Sequence, residues 1–166
     1  MSDKKKFRAG VLFGDEVKEV LDYAKANEFA LPAVNCVNTN SVNASLAAGR
    51  EVNSPMMIQF SNGGAQFFIG KGVSKENQLG PILGGIAGAK YADAAAKAYG
   101  VPLILNTDHC AKKLLPWVDG MLAAKSSSPR PASRFTARTC SIFRKSRSKR
   151  ISRSVRNTSP ACPSSV

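Results

Sequence analysis

Pro102-Leu-Ile-Leu-Asn-Thr-Asp-His109-Cys-Ala-Lys-Lys-Leu-Leu-Pro-Trp117 is an apolar run that stops abruptly at an acid and an imidazole. A short run of aliphatic residues after Gly100, closed by polar groups, predicts a strand buried on both faces over Val101–Thr107. The stretch behind it predicts a helix over Lys112–Ala124 that starts in earnest near Pro116, a residue at home in a first helical turn. His109 is the only histidine of the 166 residues. An Asp108-His109 pair at a strand tip joins a carboxylate able to move a proton to a metal-capable side chain.

The same alternation extends upstream. Gly14–Asn27 spaces Val17, Val20, Leu21 and Ala24 along one helical face, with acids in its first turn. Phe29–Cys36 is a short apolar run that ends at Asn35. Ser41–Asn53 reads as a helix with Val42, Leu46 and Ala47 inward. Pro55–Phe60 is a second strand, closing on Ser61-Asn62-Gly63-Gly64, and an Ala/Gly-rich helix follows from about Ser74 to Tyr99. Buried strands alternating with helices predict a parallel sheet with crossover connections. Each strand ends in polar or glycine residues, as the strands of a (β/α)8 barrel do around its active-site mouth. Three strands do not close a barrel, so this pattern alone fits an open doubly wound sheet equally well.

Charge divides the chain in two. Residues 1–124 hold 13 of the 24 Lys and Arg and all 11 acids, a net of +2, whereas residues 125–166 hold the other 11 bases and no acid. The whole-chain excess of +13 therefore describes a tail and not a folded body. From Lys125 the composition is rich in Ser and Arg without sustained periodicity, which predicts disorder, because too little apolar surface is buried to offset chain entropy. The basic run Arg144–Ser154 is the feature a nucleic-acid-binding protein would use, and such a protein is the rival to an enzyme. Cys36, Cys110, Cys140 and Cys162 show neither Cys-x-x-Cys spacing nor a disulfide framework. Cys36 and Cys110 read as small packed residues. No apolar run reaches membrane-spanning length, and the charged start lacks an apolar leader, so a cytoplasmic setting is expected.

Three stretches together carry a resemblance. Ala30–Cys36, Gln59–Gly64 and Thr107–Trp117, in this order, closely resemble the class II, zinc-dependent fructose-1,6-bisphosphate aldolases. The likeness covers residues 7–124, about the first third of such an enzyme, and implies the first three β/α units of a TIM barrel. It also implies a homodimer that cleaves fructose 1,6-bisphosphate reversibly to dihydroxyacetone phosphate and glyceraldehyde 3-phosphate, in glycolysis and gluconeogenesis. Tagatose-bisphosphate aldolases share this chemistry, but Ala111–Trp117 favours the fructose substrate. Relatives commonly carry His where this chain has Asn106, a position that reads as support and not as a ligand.

The resemblance also implies roles. His109 would ligate zinc, and Asp108 would be the acid/base at the C4 oxygen. Ser61 would lie near a phosphate and Asn35 near the reacting carbons. The chemistry is coherent: retro-aldol cleavage leaves charge on a three-carbon enediolate, which a Lewis acid stabilises. The blander alternatives are a hydrogen-bonding His109, and Asn35 and Ser61 as caps of the following segments. Gly63 and Gly64 fit a tight turn or a close backbone approach, and Lys112 and Lys113 read as solvated.

Residues 125–166 resemble an aldolase gene read out of frame. One codon choice for Pro131–Lys145, read from its third base, spells Gly-Lys-Pro-Leu-Tyr-Ser-Ser-His-Met-Leu-Asp-Leu-Ser-Glu, similar to what the family carries next. The expectation for the chain alone is an inactive and aggregation-prone fragment. It has one imidazole where the family binds zinc through three, and its few parallel strands leave an edge open.

Overall fold

The structure is a computed structural model that describes residues 7–124. Five helices alternate with four strands: β1 Gly10–Val11, α1 Asp15–Ala26, β2 Ala33–Asn35, α2 Thr39–Glu51, β3 Met56–Phe60, α3 Asn62–Ile69, α4 Leu79–Tyr99, β4 Pro102–Thr107 and α5 Leu115–Ala123. The strands form one parallel sheet in the order β1-β4-β3-β2. The expected alternation of strand and helix is therefore present, with a fourth strand added. That addition, β1, is only two residues long and carries no period that a sequence reading can detect. It lies beside the start of β4, with Gly10 and Leu12 donating backbone N–H groups to Val101 and Leu103 at 3.0 and 2.8 Å.

Alternation along the strands separates two faces. Met56, Ile58 and Phe60 of β3 and Leu103 and Leu105 of β4 join one buried cluster with Val42 and Leu46 of α2 and Ala89, Ala92 and Ala96 of α4. Met57 and Ile104 point the other way, where Leu12 and α1 residues Val17 and Val20 cover them. On α1, Leu21 is half exposed, and on α2 Ala47 is exposed while Ser45 and Gly49 join Val42 and Leu46 on the inner face.

α4 explains its own composition. A Cβ at Gly84 would fall on the carbonyl oxygen of Ala65, one at Gly80 on the Gln66 amide, and one at Gly88 within 2.9 Å of the Phe60 ring. Glycine on this face lets α3 lie against α4 at backbone distance. The helix begins at Leu79 and not at Ser74 because Asn77 and Gln78 take positive φ, 49° and 62°. Asn38 caps α2 with reciprocal bonds to Ser41, so that helix starts two residues earlier than its apolar pattern suggests. Trp117, fully buried on α5, donates its indole N–H to the Pro81 carbonyl at 2.9 Å and ties α5 to the start of α4. No described helix is long and apolar enough to cross a membrane. The basic run Arg144–Ser154 and the rest of the tail lie outside the described residues.

Candidate active site at the strand ends

In a parallel sheet all carboxyl ends lie on one edge, so Asn35, Ser61 and Asp108-His109 are brought to the same side by topology alone. The register sharpens this. Asn35 pairs with Gln59 and Gln59 with Asn106, which places three carboxamides in one row across β2, β3 and β4. They share the face of Met57 and Ile104, one step nearer the carboxyl edge. Asn106 donates from Nδ2 to Gln59 Oε1 at 3.3 Å. Gln59 was not singled out by the sequence reading. Its signal was the alternation Met57-Ile58-Gln59-Phe60, which puts a polar residue on the face opposite the buried cluster.

Asp108 stands one turn of the pleat above Asn106. Its backbone N–H donates to the Phe60 carbonyl at 3.1 Å and so fixes the β4 tip against the β3 tip. Its side chain is about a fifth exposed, whereas that of His109 is 92% exposed and its Nε2 lies 3.7 Å from Asp108 Oδ1. Among the described residues no group of three His, Cys, Asp or Glu side chains is placed to hold a metal ion. A catalytic zinc takes three protein ligands. One imidazole beside one carboxylate falls short of that set, so the described residues do not by themselves fit the zinc that the resemblance implies.

Ser61 is the N-cap of α3, its Oγ accepting from the Gly64 N–H at 2.9 Å. The capping alternative is thus realised, and the serine hydroxyl keeps its own proton to donate. The helix itself was unforeseen, because Asn62-Gly63-Gly64 reads as a breaker; packing on the α4 glycines holds it. Gly64 sits where a Cβ would crowd Ser61 Oγ at 3.0 Å and Val37 at 3.3 Å, while Gly63 faces open space. The first is a packing glycine, and the second leaves the helix mouth clear. Asn35 is exposed at the end of β2, and Lys112 and Lys113 are exposed in a 3-10 turn before α5.

Cys36 closes β2 from below, buried with its Sγ 3.8 Å from Ser45 Oγ. Burial pushes its thiol pKa up, against weaker opposing hydrogen bonds from Ser45 and Ser41, which suits a packed residue and not a nucleophile. Cys110 packs beside the Trp117 cluster.

Residues 15–136 match the family model described as fructose-bisphosphate aldolase class-II. The chain belongs to this family. It is 59% identical over 117 residues to a fructose-bisphosphate aldolase of Edwardsiella ictaluri and 56% identical over 118 residues to the class 2 enzyme of Escherichia coli K12. In each case the match takes in 70% of this chain and 33% of the relative. A solved fructose-bisphosphate aldolase of Campylobacter jejuni is 57% identical and superposes with a TM-score of 0.66, over 72% of this chain and 33% of that one. The chain thus spans about a third of the length of the curated relatives it matches. Its α/β sheet is an incomplete TIM barrel, β2, β3 and β4 being consecutive barrel strands. The family match also runs beyond the described residues into the tail.

Proposed function

We propose that these residues form the amino-terminal part of the active site of a class II fructose-bisphosphate aldolase, with Asp108 as acid/base, Ser61 and Asn35 as substrate contacts and His109 as a zinc ligand. The observation that supports this best is the common edge: Asp108, Asn35 and Ser61 all stand at the carboxyl ends of adjacent parallel strands, in a chain of this family. In the cleavage direction the Asp108 carboxylate removes the C4 hydroxyl proton. The electron pair left on that oxygen forms the carbonyl of glyceraldehyde 3-phosphate as the C3–C4 bond breaks, and the C3–C4 pair stays on C3 as an enediolate, which takes up one proton to become dihydroxyacetone phosphate. Ser61 donates its hydroxyl proton to a phosphate oxygen at the mouth of α3, where the helix dipole favours an anion. Asn35 orients the hydroxyls near the bond that breaks. His109 would supply one donor to a zinc ion; the described residues offer it no further set of ligands, so no turnover is expected of residues 7–124 alone. A cytoplasmic homodimer is part of the same reading.

The test is a chimera that joins residues 7–124 to the remaining two thirds of the Escherichia coli relative. Fructose 1,6-bisphosphate cleavage should be zinc-dependent. Asp108→Ala should keep zinc and lose about 10²-fold or more in kcat, whereas His109→Ala should lower zinc occupancy. Wild-type turnover in the Asp108→Ala chimera refutes the acid/base role. Residues 125–166 we read as out-of-frame translation, and DNA beyond the Val166 codon should encode further barrel in a shifted frame.

A further inference from the structure

The first turn of α3 is made of residues that hold a helix poorly. Asn62-Gly63-Gly64 follow the cap residue Ser61, and glycine loses more chain entropy in a helix than any other residue. Farther along, α3 is fastened well. Ala65 lies against Gly84 of α4, and Gln66, almost fully buried, donates from Nε2 to the Gly70 and Val73 carbonyls at 3.0 Å each. Among the described residues, two side-chain hydrogen bonds reach the first turn itself. One is the Ser61 cap on the Gly64 N–H, and the other runs from Asn62 Nδ2 to Gln78 Oε1 at 2.9 Å.

Gln78 is a costly residue for its place. It immediately precedes α4 with φ 62° and ψ 20°, a left-handed conformation that strains a side-chain-bearing residue, and Asn77 before it has φ 49° and ψ 28°. Glycine would adopt that backbone without strain. Nor does the Gln78 side chain cap α4. Its carboxamide oxygen goes instead to Asn62. Strain of this kind persists where the surrounding structure enforces it, and it gathers at functional sites. The bond also draws the Asn62 side chain toward the start of α4. The main-chain N–H groups of Asn62 and Gly63, which have no carbonyl of their own helix to meet, are left at the open end of α3, where Gly63 faces open space.

We propose that Asn62 and Gln78 are positioning residues for the substrate phosphate: their hydrogen bond holds the first turn of α3 so that the Ser61 hydroxyl and the Asn62 and Gly63 N–H groups converge on one anion. This rests on the reading of Ser61 as a phosphate contact. The pair acts through Ser61 and the helix end and not at the reacting carbons. Its loss therefore weakens substrate and transition state alike, which appears in KM and spares kcat.

Two measurements test this. In the full 166-residue chain, the Gly64 and Ala65 amides close the first turn on Ser61. Their hydrogen exchange should quicken about fivefold in Asn62→Ala and in Gln78→Gly, while β3 amides keep their rates. In the zinc-loaded chimera with the Escherichia coli relative, both variants should raise the KM for fructose 1,6-bisphosphate and the inhibition constant of inorganic phosphate by about fivefold, with kcat changed less than about twofold. The double variant should be no worse than either single one, because both remove the same bond. Gln78→Gly relieves the left-handed strain and should fold, so a tie that merely joined two helices would leave its KM where it was. Unchanged exchange at Gly64, or an unchanged KM in Gln78→Gly, overturns the proposal. Ser61→Ala in the same chimera separates the two readings. If it raises KM while the Asn62 and Gln78 variants do not, only the tether is lost; if it leaves KM unchanged, the phosphate role of Ser61 falls and the tether's role falls with it.

Discussion

The two faces of the sheet are made by the same strands and serve opposite ends. On the helix-covered face Met56, Ile58, Phe60, Leu103 and Leu105 are all at or below 9% exposure, closed over by α2 and α4. On the other face only the lower row, Met57 and Ile104, is covered, by α1 and Leu12. The upper row, Asn35, Gln59 and Asn106, is polar and open at Asn35. Apolar burial on the first face contributes the stability that lets the second hold polar groups unpacked, since a wet carboxamide adds little to folding. The outer face should therefore answer to volume and the inner face to chemistry.

The severest way to break that contrast lies behind the outer face. Gly84→Val would drive a branched side chain into the Ala65 backbone, which cannot yield as a flexible side chain can. The expected outcome is separation of α3 from α4 and loss of protease resistance across residues 62–99, read by limited proteolysis. Next comes Ile58→Ala, which should cost about 2–5 kcal/mol by creating a cavity under α2 and α4. Hydrogen exchange of β3 and β4 amides measures it. A cost within error of zero would mean that this face is not the packed one.

Gln59→Leu sharpens the comparison from the other side. It breaks the 3.3 Å bond to Asn106 and should change β3 protection by less than about 1 kcal/mol, because the row is partly wet and the replacement is similar in volume. A change as large as that of Ile58→Ala would show the amide row to be core. The smallest effect concerns Cys36. Its thiol is raised by burial and should alkylate with iodoacetamide far more slowly than Cys110 at pH 8, as peptide mass mapping would show. The sign follows from the raised value. The thiol is neutral in both states below its ordinary pKa, and above it the unfolded chain ionises first, so this contribution to stability declines as pH rises through the alkaline range.

Periodicity made most of this legible. The apolar runs ending in Asn35, Ser61 and Asp108 located β2, β3 and β4, and the local order strand, polar tip, helix implied a parallel sheet with its site at one edge. What failed was local in appearance and tertiary in cause. Gly10–Val11 became a strand only because β4 offers an edge, and Asn62–Ile69 became a helix only because Gly80 and Gly84 of α4 leave room for it. Gln59 joined the site through register with Asn35 and Asn106, which no single strand contains.

The sequence by itself thus determined the order of β2, β3 and β4 among their crossover helices, the residues at each of those strand tips and the division between a mixed-charge body and a basic tail. These are set within windows of a few residues, where side-chain alternation and charge are read directly. Only the tertiary structure decided which strands neighbour one another, that Ser61 caps a helix, that His109 stands exposed beside Asp108 without further ligands among the described residues, and which two edges are left open. Those depend on contacts between segments tens of residues apart, whose energy comes from close packing and strand pairing and leaves no mark on any one stretch of the chain.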